Sequence, residues 1–257
     1  MARQSRRRSE SGIYHIVMRG TNRQDIFHER DDYWRLLQII AQTKPENNFE
    51  LYGFCLMTNH VHLLIHEKEE TIAKTMHRIT TRYAGWYNYK YERSGHVFQG
   101  RYGSECVEDD RYLLTVIRYI HNNPVKAGMV SHPEDYRWSS IKAYYSGHKR
   151  PARLTNTSFI LGIFAPERTE AVHRFREFMS VENQDTCLED ENRLKKTDEE
   201  IMAEIDEILK GASIPALLGM KKQDRDALLR KIKAIEGTTQ RQIARVTGLN
   251  QSIISRA

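Results

Sequence analysis

Two adjacent segments constrain the fold most strongly: FELYGFCLMT at residues 49–58 and HVHLLIH at residues 60–66, which only Asn59 separates. Both predict strands, and strands joined so closely pair in an antiparallel sheet. Because side chains alternate between the two faces of a strand, His60 and His62 point the same way, and the apolar residues next to them point the other way. The sequence therefore predicts a sheet with an apolar face and a second face that carries two imidazoles.

The segments around this pair complete a regular order of elements. A helix is favoured where acidic residues precede apolar residues at helical spacing, and Pro45 is expected to end the first helix. The order β-α-β-β-α-β plus a helix predicts an α+β fold, the ferredoxin-like split β-α-β sheet with helices packed on one face. The other face would remain available for a site. The predicted elements are strands at 12–20, 49–58, 60–66 and 100–108 and helices at 31–44, 71–92 and 109–123.

Charge divides the 257 residues into three parts, although the net charge of the whole chain is only +6. Residues 1–150 carry 23 basic and 17 acidic side chains, residues 151–200 carry 7 and 11, and residues 201–257 carry 10 and 6. Two basic parts favour two surfaces that meet an anion such as nucleic acid, although ordinary solvated surface has a similar composition. We predict domains at 1–150 and 201–257, joined by a helical extension and acidic linker at 151–200.

Other compositional signals exclude several classes of protein. The three cysteines form no CxxC pair, so neither a disulfide framework nor a zinc site is indicated. No segment approaches the roughly 20 apolar residues of a membrane helix. The basic N-terminus is not followed by an apolar segment, which is unlike a signal peptide. We therefore expect a soluble, cytoplasmic protein with no membrane partner.

The histidine pair has two readings. His60 and His62 could be polar residues without a special role, either satisfied on a half-buried strand or facing solvent, or they could bind a metal together. Imidazole suits several divalent metals, and a pair of them leaves coordination positions open for water or substrate oxygens. His66 shares their face but lies roughly 13 Å from His62 by strand rise, so it is not expected to be a ligand.

The segment RYIHNNPVKAG at residues 118–128 carries a second set of candidates. Tyr119 and Asn123 are four residues apart and would share one face of a helix that reaches Asn123. Pro124 disfavours the helical conformation at the residue before it. Asn123 could therefore cap a helix instead of facing a site.

A histidine-hydrophobic-histidine strand followed by a helix with tyrosine and an amide resembles the single-tyrosine HUH transposases. The resemblance is greatest to the repetitive-extragenic-palindrome (REP)-associated tyrosine transposases, and it covers residues 10–150. Five blocks match in order and spacing: VMRGTNRQDIF (17–27), MTNHVHLLI (57–65), GHVFQGRY (95–102), YIHNNPVKAGMV (119–130) and YRWSSIKAY (136–144).

The resemblance implies a metal-dependent enzyme that cleaves and rejoins single-stranded DNA with hairpins. It implies that His60, His62 and Asn123 hold the metal, either Mg²⁺ or Mn²⁺, and that Tyr119 is the catalytic nucleophile. The covalent intermediate would be a 5′-phosphotyrosine, which retains the bond energy needed for rejoining. It also implies DNA contacts from the loop-like segments, through Arg19, Asn22, Arg23, Gln99 and Arg101.

Residues 238–257, TTQRQIARVTGLNQSIISRA, predict a helix-turn-helix that is not part of this transposase pattern. Gly248 permits the tight turn, and the following segment would be a recognition helix in the major groove of duplex DNA. Gln251, Ser252 and Arg256 are its candidate DNA-binding residues. The alternative is a helical hairpin without a DNA-binding role.

Two rival functions remain open at this stage. The first is a non-catalytic, sequence-specific DNA-binding regulator derived from a transposase, in which the helix-turn-helix binds the DNA. The second is a metal nuclease that uses water and forms no covalent adduct. We expect association with the nucleoid in either case, and the sequence does not choose between a monomer and a homodimer.

Overall fold

The structure is a computed structural model that describes most of the chain. It covers residues 7–146, 154–181, 185, 187, 196–210, 213–235, 238 and 240–256. The chain divides into two compact units, residues 1–188 and residues 189–257. Each unit has its own hydrophobic core, and each is described by itself.

The described part of the first unit contains a four-stranded antiparallel sheet. Its strands lie in the order β2-β3-β1-β4, so β1 and β3 form the centre. This order is that of the ferredoxin-like split β-α-β arrangement, which confirms the predicted fold class. The strands are β1 (Ile13–Arg19), β2 (Glu50–Leu56), β3 (His60–His66) and β4 (Gly103–Cys106).

Two long helices, α1 (Arg30–Asn47) and α2 (Ile72–Lys90), contact each other and share one buried core with the apolar face of the sheet. The predicted end of α1 at Pro45 is wrong. The helix continues to Asn47, and Asn48 ends it in the left-handed conformation with its N–H bonded to the Lys44 carbonyl. A proline in the last turn removes only one intrahelical bond, whereas the burial of Asn47 in this turn favours continuation of the helix.

The third long helix, α3 (Asp110–Lys126), lies against the histidine-bearing face and contacts β2 and β3. Gly53 of β2, which pairs with Leu64 of β3, makes this close approach possible. A β-carbon on Gly53 would lie 2.5 Å from the Cδ1 atom of Ile117. The absence of a side chain at this position therefore leaves room for the Ile117 side chain against β2.

The first unit ends with short helices that pack together beyond the sheet. Tyr144 and Phe175 stack there with ring centroids 4.6 Å apart. These helices are α4 (Ile141–Ser146), α5 (Ser158–Phe164) and α6 (Arg168–Ser180). Two 3-10 turns, Thr21–Arg23 and Pro133–Asp135, complete the described part of the unit.

The second unit is helical in its described residues. Its core is formed by aliphatic side chains, among them Ile201, Leu229, Ile243 and Ile254. Most of the predicted acidic linker, 182–184, 186 and 188–195, lies outside the described residues. No helix in the described part of the chain is long and apolar enough to cross a membrane. The helices are α7 (Asp198–Leu209), α8 (Ile214–Gly219), α9 (Lys222–Lys233), α10 (Gln240–Thr247) and α11 (Gln251–Arg256).

The contact between Gly53 and Ile117 gives a test of the packing of α3. Gly53→Ala should lower the free energy of unfolding by about 1–3 kcal/mol, because the added methyl group overpacks the core. Gly85→Ala is the matched control: it lies within α2 with open space around it and should raise stability by about 0.5–1 kcal/mol. Urea unfolding followed by circular dichroism measures both, and equal stability of the two variants would contradict the packing described.

Candidate active site

His60 and His62 lie on one face of β3, as the alternation predicted. Their ring centroids are 5.1 Å apart and the rings are nearly perpendicular. In the register with β1, His60 is opposite Arg19 and His62 is opposite Val17. His62 is completely buried and His60 is half-buried, so the pair lies at the edge of the core.

The Nδ1 atom of His60 is held by Asn59. The distance from this atom to Asn59 Oδ1 is 2.6 Å, and Asn59 Nδ2 donates to the Arg23 carbonyl at 3.1 Å. Since the amide nitrogen faces a carbonyl, the amide oxygen faces the imidazole and needs a proton on Nδ1. A neutral His60 therefore keeps its lone pair on Nε2, which is the atom that can bind a metal.

The Nδ1 atom of His62 is held from the other side, by a histidine that the sequence reasoning missed. His15 of β1 is buried, its ring stacks on His62, and its Nε2 lies 3.1 Å from His62 Nδ1. On its far side, His15 Nδ1 lies 3.5 Å from the carboxylate of Glu105 on β4. A carboxylate there favours a proton on His15 Nδ1, so Nε2 accepts from His62 and leaves the His62 lone pair on Nε2.

Tyr119 lies directly against the histidines. Its ring centroid is 5.7 Å from that of His62 and 6.0 Å from that of His15, and both contacts are edge-to-face. Tyr119 is 1% exposed, and the Lys126 ammonium lies 4.9 Å from its ring centroid. Asp109 begins the helix by accepting a bond from the Tyr112 N–H, so α3 places Tyr119 in the middle of its length.

The interpretation of Asn123 as a helix cap is wrong. α3 continues through Pro124 to Lys126, and the Asn123 carbonyl accepts a bond from the Ala127 N–H. Asn123 therefore shares the face of Tyr119 one turn further on, where it is 1% exposed. Burial of Pro124 and its neighbours outweighs the local preference for an extended residue before proline.

Buried polar contacts hold α3 against β2. His121 Nε2 lies 2.7 Å from Ser140 Oγ, and the same oxygen accepts from the Phe54 N–H. Burial lowers the pKa of His121 to about 3, which keeps the ring neutral at neutral pH. Near the start of α3, burial raises the pKa of the Tyr112 hydroxyl, and the hydrogen bond between Tyr112 and the Glu105 carboxylate raises this pKa further.

The donor set fits a divalent metal. In the described ranges no three His, Cys, Asp or Glu side chains form a group that could hold one, so two imidazoles would need a ligand of another type. Asn123 offers an amide, and its buried Nδ2 has no hydrogen-bond partner among the residues that the structure describes. Rotation of the amide exchanges this atom with the carbonyl oxygen, a suitable ligand for Mg²⁺ or Mn²⁺.

The five residues predicted to contact DNA in the first unit belong to two segments that meet at the His60 end of β3. The Gln99 N–H donates to the Arg19 carbonyl at 2.8 Å, and the Thr21 N–H donates to the Val97 carbonyl at 3.0 Å. Asn22, Gln99 and Arg101 are exposed, and Arg19 and Arg23 are half-buried. The structure thus brings all five predicted residues to one end of the sheet, where β1 ends and β3 begins.

In the second unit, α10 and α11 flank a turn at Gly248, which has a positive φ of 69°. Gln251 and Ser252 are exposed at the start of α11, and the Ser252 N–H donates to Asn250 Oδ1 at 2.9 Å. The side chain of Arg256 lies outside the described part of the chain. The helix-turn-helix function of this pair of helices remains a prediction.

The fold and site together define a ferredoxin-like domain with a histidine pair facing a tyrosine on a helix, and comparison with known proteins agrees. Residues 9–123 match the family described as "Transposase IS200 like", and this range contains His60, His62, Tyr119 and Asn123. Residues 9–123 are therefore similar to the IS200-like transposases, and the matched range is less than half of the chain.

The chain is also similar to particular proteins. A Haemophilus influenzae protein that bears the name REP-associated tyrosine transposase is 29% identical over 112 residues, which is 39% of this chain and 63% of that protein. The chain thus spans less than two thirds of this relative. A solved REP-associated tyrosine transposase bound to a REP hairpin is 19% identical with a TM-score of 0.48, covering 55% of this chain and 83% of its own. A Deinococcus radiodurans protein described as a transposase is 17% identical with a TM-score of 0.34, covering 47% and 96%.

Gly20 offers a test of the segment next to His60. A β-carbon at Gly20 would collide with the backbone carbonyl of Gln24, so Gly20→Ala should open the turn 20–24. Trypsin should then cleave the folded protein after Arg23 several times faster than it cleaves the wild type. Gly162→Ala, which lies in α5 with open space around it, is the control. Equal cleavage rates for all three proteins would show that the turn does not depend on Gly20.

Proposed function

We propose that this chain is a metal-dependent DNA transesterase of the transposase type. It would cleave and rejoin hairpin-associated single-stranded DNA through a 5′-phosphotyrosine intermediate. The observation that carries the proposal is the packing of Tyr119 against His62, with ring centroids 5.7 Å apart. Catalysis of this kind needs a nucleophile beside groups that neutralise the charge of the scissile phosphate. The match of residues 9–123 to the IS200-like transposase family supports the same assignment.

His60 and His62 would hold the metal through their Nε2 atoms, and Asn123 would add an amide oxygen. A divalent cation such as Mg²⁺ or Mn²⁺, when bound there, supplies positive charge to a phosphate oxygen. The protein's own contribution is orientation, because the Nδ1 atoms of both histidines are already engaged by Asn59 and His15.

Tyr119 would perform the covalent step. Its hydroxyl gives up its proton and the oxygen attacks the phosphorus. The bond from phosphorus to the 3′ oxygen breaks, and that oxygen takes up a proton and leaves as a 3′-hydroxyl. The resulting 5′-phosphotyrosine ester is rejoined when a 3′-hydroxyl attacks the same phosphorus and releases the tyrosine. Lys126 adds positive charge beside the Tyr119 ring.

Two surfaces would bind DNA. The first surface lies at the end of the sheet and would contact the single strand and its hairpin through Arg19, Asn22, Arg23, Gln99 and Arg101. Arginine can pair with phosphate and stack on bases. The name of the Haemophilus influenzae relative supports hairpin-forming repeats as the substrate class. Gln251, Ser252 and Arg256 would bind duplex DNA.

We also propose that three consecutive parts of the chain have different roles in this reaction. Residues 1–150 would form the catalytic domain, and residues 151–200 a helical extension and acidic linker. Residues 201–257 would form a helix-turn-helix domain that anchors the enzyme to duplex DNA.

A covalent adduct is the most specific expected product. Wild-type protein incubated with Mg²⁺ and single-stranded hairpin DNA from the flanks of its own gene should give an SDS-stable protein–DNA band. Tyr119→Phe should abolish the band while DNA binding stays within about twofold, because only the nucleophilic oxygen is removed.

Tyr89→Phe is the matched control for the adduct experiment, since Tyr89 is 88% exposed at the end of α2 and has no role in the proposed site. It should form the adduct at the wild-type rate. Cleavage without any adduct would indicate a water-dependent metal nuclease, and DNA binding without cleavage would indicate a regulator. Either result would refute the transesterase proposal.

The second unit gives an independent prediction. The double change Gln251→Ala and Ser252→Ala should weaken binding of the full chain to its specific duplex DNA by about tenfold or more, because both side chains are exposed on the proposed recognition helix. Gln223→Ala, at an exposed position at the start of α9, should leave duplex binding unchanged. Fluorescence anisotropy measures both, and wild-type affinity of the double variant would remove α11 from the DNA interface.

A further inference from the structure

Asn59 occupies a position where two parts of the site meet. Its amide oxygen faces His60 Nδ1 at 2.6 Å, and its amide nitrogen donates to the Arg23 carbonyl at 3.1 Å. We infer that Asn59 is a positioning residue that couples the DNA-contacting turn 20–24 to the metal ligand His60. Metal binding and DNA binding at this turn then strengthen each other. The inference rests on the proposed function, because it assumes that His60 binds a metal.

The turn on the far side of Asn59 is held in a costly conformation. Asn22 and Arg23 have φ values of 52° and 56°, in the left-handed region that residues with a β-carbon seldom adopt. Two such residues in succession persist only where the surrounding contacts fix them. The bond from Asn59 to the Arg23 carbonyl is one of these contacts, and the bond from the Gly20 N–H to the Asn59 carbonyl at 2.8 Å is another.

The other side of Asn59 fixes the imidazole of His60. The amide oxygen can only accept, so it selects the tautomer with the proton on Nδ1 and sets the orientation of the ring. Partners of this kind change metal affinity by about 10–100-fold when they are removed. His62 is held instead by His15 on β1, so the inferred coupling runs through His60.

The mechanism of coupling follows from the geometry of a single amide. DNA that contacts Arg23 and its neighbours stabilises the left-handed turn and therefore the position of the Arg23 carbonyl. That carbonyl holds the Asn59 amide nitrogen, and the amide oxygen then holds the His60 ring. By linkage, a metal that binds the ordered His60 favours the ordered turn by the same factor.

Two substitutions at one position separate the two bonds. Asn59→Ala removes both of them. Asn59→Asp keeps an oxygen that accepts from His60, but its second oxygen faces the Arg23 carbonyl and cannot donate to it. Asn156→Ala, which removes an asparagine that accepts from the Ser158 N–H, is the control for a general effect on stability.

Isothermal titration with Mn²⁺ alone tests the positioning role. Asn59→Ala should raise the Kd at least tenfold, Asn59→Asp should bind as tightly as the wild type or more tightly, and Asn156→Ala should not differ from the wild type. Circular dichroism of the metal-free proteins shows whether each variant is folded. A folded Asn59→Ala protein with the wild-type Kd would overturn the inference.

The coupling is tested in a Tyr119→Phe background, where the DNA stays intact. The probe is hairpin DNA that ends before the cleaved phosphate, so that the DNA itself adds no ligand to the metal. This DNA should tighten Mn²⁺ binding at least fivefold with Asn59 present, and less than twofold with Asn59→Asp. An equal effect in both proteins, or no effect in either, would overturn the inference. If the wild type binds no Mn²⁺, the proposed function fails as well, and that result is distinct from unchanged binding by Asn59→Ala.

Discussion

The contact of α3 with the polar face of the sheet determines the rest of the site. Gly53 leaves room for Ile117 against β2, and on the same helix Tyr119 packs against His62 and Asn123 is buried one turn further along. A ferredoxin-like sheet normally offers its open face to solvent or to a partner. Here the helix closes part of that face, so that a nucleophile and two imidazoles share a small, largely dry volume. In such a volume electrostatic interactions are stronger than in water.

The histidines are prepared for their role by residues that would not bind the metal themselves. Glu105 and His15 act on His62, and Asn59 acts on His60. Both sets engage Nδ1, so both rings present Nε2. This arrangement separates two requirements: the apolar face supplies stability, while the polar face supplies orientation.

The sequence predicted the order of the strands and the long helices because their periodicities of 2 and 3.6 are strong and local. The alternation rule correctly placed His60 and His62 on one face, and Tyr119 lies against His62 in the structure. The path of α3 through Pro124 could not be decided, since a local preference before proline competes with burial that only the packed structure reveals. His15 was missed for a similar reason, because its role depends on the register between β1 and β3. A lone histidine in an apolar strand was the available signal.

The proposed roles depend on one physical requirement, which is that His60 and His62 bind one metal ion next to α3. Without that ion, Tyr119 and Asn123 would not have the roles proposed for them. Anomalous diffraction from crystals soaked in Mn²⁺ measures this directly. The account predicts a single strong peak within bonding distance of the Nε2 atoms of both histidines, with the Asn123 amide oxygen as a further ligand. A peak at another site, or no peak at the histidine pair when Mn²⁺ supports cleavage, would contradict it.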